Sequence, residues 1–514
     1  MKRILALLVA PLVALIIGCA SLPSLDDRTE TAVLADTAGT RLGRAVAAEV
    51  AANPGMTGIH SLPEAHGAFA ARAVFAAAAD RSLDVQYYIW HGDQVGYLLL
   101  EALWQAAERG VRVRLLLDDM NTGGFDPTLA AFNEHPNIEV RLYNPFVQRT
   151  ARWSAFLTDF RRVNRRMHNK SFTADNQVSI VGGRNIGNEY FGAGSDIDFA
   201  DLDVVAVGAA VPAISSQFDL YWNSPSAYPV TSIVRSPGPD ARADLEARFA
   251  AVRAAPESNA YMQAVASTPL VRDLLGGRLR LEWVPARLVH DDPAKTLDTT
   301  DRKDVLLFPQ LMRIAGPAQE TFDLISPYFV PGEDGSASLA RLARSGVKIR
   351  VLTNSLASSE ASVVFSGYAK RRKELLQAGV QLYEMRPTEG QGERARKTGV
   401  GSSGASALHA KTFSVDHLRS FVGSFNFDKR SELLNTEMGL VVEAPLIAQR
   451  FTEYFDHVVP TIAYEVRLKS DGSSMEWIER TATGEVRYDA DPGTSALKRI
   501  GVEVLSLFPV DWML

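Results

Sequence analysis

His168-Asn-Lys170-Ser-Phe-Thr-Ala-Asp175 occurs a second time in this chain as His409-Ala-Lys411-Thr-Phe-Ser-Val-Asp416. In both copies Lys follows His by two residues and Asp by seven. A glycine follows by fourteen (Gly182, Gly423) and an asparagine by seventeen (Asn185, Asn426). At ordinary residue usage one His-x-Lys-x4-Asp triple arises in a chain this long only about a few per cent of the time, so two copies with matching Gly and Asn are a duplication. A merely structural hairpin has no reason to keep its titratable residues while its apolar ones drift.

Working outward, the flanks repeat as well. Asp84 pairs with Asp323, Gly110 with Gly346, Tyr143 with Tyr383 and His168 with His409, at separations of 239, 236, 240 and 241 residues. A near-constant offset means two copies of one fold. In the first copy, strands are predicted at 83–90, 111–117 and 138–143, with helices at 96–109 and 128–135. The second copy predicts strands at 322–330, 347–353 and 380–384, with a helix to Arg344 and a long helix through Leu376. Apolar, β-branched runs alternating with helical periods indicate α/β architecture around buried sheets.

The paired motifs resemble the HKD motifs of the phospholipase D superfamily. Further stretches are similar to bacterial cardiolipin synthases, closest to the C type: Asp84-Val-Gln-Tyr-Tyr-Ile-Trp90, Leu115-Leu-Leu-Asp-Asp119, Arg166-Met-His-Asn-Lys170, Gly182-Gly-Arg-Asn-Ile-Gly187, Ser326-Pro-Tyr-Phe-Val-Pro331, Leu408-His-Ala-Lys411 and Asn435-Thr-Glu-Met438. The likeness runs from about residue 63 to the end of the chain. It implies two tandem phospholipase D-like α/β/α domains related by a pseudo-two-fold axis, with the active site at their interface. It also implies His168, Lys170, Asp175, His409, Lys411 and Asp416 as the catalytic set, with His168 as nucleophile and His409 as general acid and base. The residues alone leave those two roles interchangeable.

The chemistry of the motifs agrees with that implication. Two imidazoles facing one phosphodiester allow one to attack phosphorus while the other protonates the leaving alcohol. Lys170 and Lys411, two residues from their histidines, point to the same face on a strand. With Asn185, Asn426 and the Ser424 hydroxyl they are expected to bind the phosphoryl oxygens, so neither metal nor cofactor is required. A histidine works better when a carboxylate holds its other nitrogen. Glu437 resembles the family's histidine-orienting acid, and its repeat partner is Asp201, with Asp203 as competitor. Asp175 and Asp416, an odd number of residues from His, should face away and brace a turn.

At 514 residues and 46% apolar content the chain exceeds one core. Its net charge of −6 and pI near 5.9 argue against a nucleic-acid partner. Lys2 and Arg3, the apolar run from Ile4 to Ile17 and Gly18-Cys19 read as an export signal (1–18) ending in a lipidation site at Cys19, the only cysteine. A tether (19–62) should follow, then a first domain (63–235), a helical connector (236–278), a second domain (279–460) and a C-terminal segment (461–514). That last segment should hold a β-hairpin appendage at 464–488 and an apolar tail, including Phe508 and Trp512, that is expected to be either a second membrane contact or a docked core helix.

Trp153 to Arg166 interleaves aromatic and leucine side chains with arginines, as does a segment that meets anionic headgroups or a half-buried helix with a basic face. Residues 386–407 read as a loop over the pocket. The expected partners are phospholipid substrates and a bacterial membrane surface reached from the periplasmic side. No oligomer is needed, because both motifs lie in one chain. The resemblance implies transfer of a phosphatidyl group to phosphatidylglycerol through a phosphohistidine. Hydrolysis to phosphatidic acid is the alternative, and no residue distinguishes the possible donors.

Overall fold

The computed structural model of the chain describes residues 22–193, 199–275, 278–297, 305–359, 362–387 and 408–507. Two mixed sheets carry it. The first orders nine strands as Ala227–Pro229, Ile138–Tyr143, Arg112–Asp118, Ser82–Tyr87, Ser171–Ala174, Val178–Gly182, Asp203–Gly208, Thr57–Leu62 and Glu282–Val284. The second orders ten, from its other edge, as Gly484–Tyr488, Met475–Thr481, Ala463–Leu468, Gln381–Met385, Lys348–Asn354, Thr321–Ile325, Thr412–Val415, Arg419–Gly423, Met438–Glu443 and Ala286–His290. From Ala227–Pro229 and from Ala463–Leu468 onward, both sheets follow the same order and the same parallel or antiparallel sense through eight strands.

In each sheet three parallel strands meet an antiparallel hairpin whose first strand follows the motif histidine and lysine. The parallel strands are buried on both faces, and the charged side chains they carry inward are paired across neighbouring strands, Arg114 with Asp84 (2.7 Å) and Arg350 with Asp323 (2.6 Å). Leu83, Val85, Val113, Leu115 and Leu117 face a helical layer formed by Ala65–Ala78 and Gln94–Glu108. The opposite faces of the two sheets meet. Ile59, Val181, Val204 and Ala206 of the first half join Leu352, Tyr383, Leu440 and Val442 of the second in one apolar cluster.

Four expectations are corrected. The segment 19–62 is not all tether: Arg41–Ala52 is a helix and Thr57–Leu62 pairs along its whole length with Asp203–Gly208. Upstream, Arg28 donates to the carbonyls of Asn223 (2.7 Å) and Ala227 (3.1 Å). The strand escaped notice because Thr57-Gly-Ile-His-Ser-Leu62 has little apolar alternation and is held by its backbone. The connector has three helices, Ala241–Ala254, Pro256–Ala266 and Pro269–Leu275, and belongs to the first domain, since Leu245, Phe249, Tyr261 and Val265 complete its core. The expected long helix before Leu376 is two, Ser362–Ala369 and Arg372–Gln377. The C-terminal hairpin is no appendage, for its three strands extend the second sheet. Cys19, most of the 386–407 loop, Phe508 and Trp512 lie outside the described residues.

Candidate active site

Each motif histidine stands just before the central hairpin of its own sheet, and the backbone that positions it comes from the other half. The His168 amide donates to the Thr436 carbonyl (2.8 Å), and the Thr436 amide to that of Arg166 (2.9 Å). By the same rule the amides of His409 and Ala410 donate to the Ala200 carbonyl (2.9 and 3.0 Å). Thr436 and Ala200 each immediately precede an acid, so these bridges deliver the acids across the interface.

The result is a crossed pair. His168 Nδ1 lies 2.8 Å from Glu437 Oε2, and His409 Nδ1 lies 2.6 Å from Asp201 Oδ2. Asp203, the competitor, is spent on two guanidiniums, Arg72 (2.8 Å) and Arg184 (3.4 Å). Aromatic rings fix the imidazoles laterally: Tyr88 stands edge-on to His168, and Tyr190 and Phe199 flank His409.

Lys170 and Lys411 are both buried, and each ammonium donates to the carbonyl of its own motif histidine, at 2.6 Å for Lys170. Burial is the main cause that lowers both lysines, the Lys411 ammonium to about 8, and each also depresses the other motif's histidine. The two motifs therefore share one electrostatic site. Burial first and then the lysine charges hold His168 well below its ordinary value and His409 at about 3. Both rings are then neutral near pH 7, with Nδ1–H given to the carboxylate and the Nε2 lone pair free. Burial pushes Glu437 up to about 7, whereas His409 and Lys411 outweigh burial and hold Asp201 low.

Asp175 and Asp416 face away and hold turns. Asp175 accepts from the amides of Asp80 (2.9 Å), Arg81 (2.7 Å) and Ser82 (2.9 Å), and Asp416 from those of Gln319, Glu320 and Thr321 (2.8–3.1 Å). Both sit in left-handed backbone, at φ 52° and 53°, which Asp tolerates at a turn. Asn185 Oδ1 accepts from the Ile89 amide (3.2 Å), while Nδ2 donates to the Tyr190 hydroxyl (3.2 Å). Asn426 is buried, and its Oδ1 finds no partner among the described residues.

Ser424 departs from its expected phosphate role. Its fully buried hydroxyl donates to Glu437 Oε2 and accepts from the Met438 amide (3.0 Å), so it serves the acid instead. The equivalent Gly183 has a matching reason: a Cβ there would collide with the Asp201 carboxylate. The longer acid is braced by a hydroxyl, and the shorter one needs an empty space.

Sequence reading missed two supports. Asp291 accepts from the Glu437 amide (2.8 Å) and from Lys295 Nζ (2.9 Å), and Asp118 binds Arg166 (2.7 Å) and the Met167 amide (2.8 Å) just before His168. Asp118 lies within the quoted Leu115–Asp119 run, but Asp291 has no local signal. One group of potential metal ligands occurs among the described residues, His91, Asp93 and Glu189. Its atoms are engaged: Asp93 accepts from the Gly96 (2.9 Å) and Asn188 (2.7 Å) amides, and His91 pairs with Glu189 (3.1 Å).

A family model described as "Cardiolipin synthase, PLD-like domain" matches residues 75–219 and 311–459, which is more than half of the chain and contains both motifs. The chain belongs to the cardiolipin synthase family. Among relatives in this family, cardiolipin synthase C of Escherichia coli K12 is 46% identical over 476 residues, covering 92% of this chain and all of that one. A cardiolipin synthase of Staphylococcus aureus is 24% identical over 376 residues, 72% of this chain and 60% of its own. A solved phosphatidylserine synthase from Haemophilus influenzae shares the fold, with a TM-score of 0.55 at 13% identity over 92% of this chain and all of that chain.

Proposed function

We propose that this chain makes cardiolipin by moving a phosphatidyl group from one phospholipid to phosphatidylglycerol. The observation that carries the chemistry is the crossed arrangement, in which each half supplies one imidazole and the acid that holds the other, beside two buried lysines. Such a site has two neutral imidazoles beside two buried lysines, suited to one phosphodiester anion.

His168 Nε2 attacks phosphorus, the P–N bond forms, and the bond to the headgroup oxygen breaks. The bound phosphodiester anion offsets the lysine charges, so His409 regains proton affinity, takes up a proton from solvent at Nε2 as the substrate binds, and passes that proton to the departing alcohol. His409 then takes the proton of the acceptor's glycerol hydroxyl as that oxygen displaces His168. Lys170, Lys411 and the Asn185 and Asn426 amides hold the non-bridging oxygens as charge builds. No step calls on a metal.

We also place the chain on a bacterial membrane, exported and held by a lipidated Cys19. No helix of the described residues is long and apolar enough to cross a bilayer. Two exposed apolar features support surface contact. Trp153 and Leu157 stand 68% and 78% exposed beside Arg161 and Arg162, and on the helix Ala496–Ser506 the side chains of Leu497, Ile500 and Val504 project into solvent, followed by Leu507.

The test is product analysis with purified protein in vesicles of labelled phosphatidylglycerol and phosphatidylethanolamine. Cardiolipin is expected from the unaltered chain and should disappear in His168→Ala and His409→Ala, and the released headgroup names the donor. Phosphatidic acid without cardiolipin would make water the acceptor and overturn the transfer reading.

A further inference from the structure

A cavity lies behind the motif of the second half. Leu408, Ala410 and Thr412, which alternate with His409 and Lys411, line an apolar pocket of about 280 Å³. Alternation puts these side chains on the opposite face from the imidazole and the ammonium, and neither His409 nor Lys411 lines the pocket. Its walls come from both halves: Leu202 from the first, and Ile325, Ile447 and Phe451 from the second. Asp201, the acid on His409, reaches its floor.

Three features indicate an occupant. Nearly all of the lining is apolar, and apolar cavities of only about 150 Å³ already hold a benzene-sized molecule. The helix Pro445–Glu453, which bears Ile447 and Phe451, runs into a π-helical turn at Tyr454–Val458, and Tyr454 also lines the pocket. Such widened turns occur preferentially where a helix makes room for function. Finally, one cation stands at the exposed rim, Arg450, and its guanidinium has no carboxylate partner among the described residues.

We propose that this interdomain pocket binds a single acyl chain whose anionic head rests on Arg450, as a lipid site separate from the catalytic one. An aliphatic chain fits because it needs no hydrogen-bond partner inside, and the head is anionic because the mouth offers a guanidinium with no carboxylate partner among the described residues. A chain seated there touches both halves and covers the side of Asp201 turned away from His409.

Fatty acids of increasing length, titrated against the purified full chain held in an amphiphilic polymer, test this. Affinity is expected to rise about fourfold for each added methylene and then level off once the pocket is full. Ile447→Trp, which fills the pocket, should abolish the binding. Arg450→Glu, on the exposed rim, should weaken laurate at least tenfold and leave dodecanol unchanged. Both variants should keep the KM for phosphatidylglycerol. Equal binding of laurate and dodecanol, or binding that survives Ile447→Trp, would overturn the site. A raised KM for phosphatidylglycerol in Ile447→Trp would show instead that the pocket holds the substrate's own chain, and would overturn its separateness.

Discussion

Exchanging Glu437 for glutamine keeps the shape of the site and removes the charge that holds His168 Nδ1–H. Loss of such an orienting carboxylate should lower kcat by about 10²–10⁴-fold with little change in KM, and Asp201→Asn should do the same through His409. Steady-state kinetics on both variants check this, and an unchanged kcat would remove the acids from the mechanism. The pH profile follows from the same groups. Glu437, raised to about 7, must be ionised to hold His168, and Lys411, lowered to about 8, must be charged to hold phosphate. The kcat/KM of the free enzyme should therefore rise through about pH 7 and fall through about pH 8. Stability moves the other way on the alkaline side. A lysine depressed by burial binds fewer protons folded than unfolded between about 8 and its ordinary 10.5, so its contribution to stability grows across that window. Gly183→Ala tests fit at the same scale, because its Cβ would push the Asp201 carboxylate off His409 and depress kcat as Asp201→Asn does.

At the scale of elements, the two turns held by Asp175 and Asp416 carry the hairpins that follow the histidines. Asp175→Ala leaves the amides of Asp80, Arg81 and Ser82 without their acceptor and should destabilise the chain by about 1–3 kcal/mol, read as a lower urea midpoint. Asp416 is only half-buried, so water can replace it and Asp416→Ala should cost less. The helix Ala496–Ser506 is a different kind of element. It packs its Val502 inward and presents Leu497, Ile500 and Val504 outward, continued by Leu507, at the i, i+3, i+7, i+10 spacing of one helical face. Changing these four to serine should weaken binding to anionic vesicles by at least about tenfold and leave turnover of detergent-dispersed substrate intact. Vesicle flotation measures the first and product formation the second.

Over the whole molecule, the pseudo-symmetry is functional because each half is incomplete without the other. His168 of the first half takes its acid from the second, and His409 takes its acid from the first. One apolar cluster, with Val204 and Ala206 facing Leu440 and Val442, presses the sheets together where this exchange occurs. One chain thereby supplies both halves of the site.

The duplicated α/β order and both motifs were legible in the amino-acid order, whereas Glu437 and, with Asp203 as competitor, its repeat partner Asp201 came from the family resemblance. Period, spacing and titratable residue types are local properties that survive as a one-dimensional pattern. The pairing of each acid with the other half's histidine was not legible, since the bridges from Thr436 to His168 and from Ala200 to His409 join residues more than two hundred positions apart. The same holds for Thr57–Leu62, a strand through pairing with Asp203–Gly208 and not through its own alternation. The Ser424 hydroxyl and the Asp291 carboxylate acquired their roles only through neighbours that folding brought to them. Hydrogen-bond partners across an interface depend on three-dimensional proximity, which residue spacing within either half does not encode.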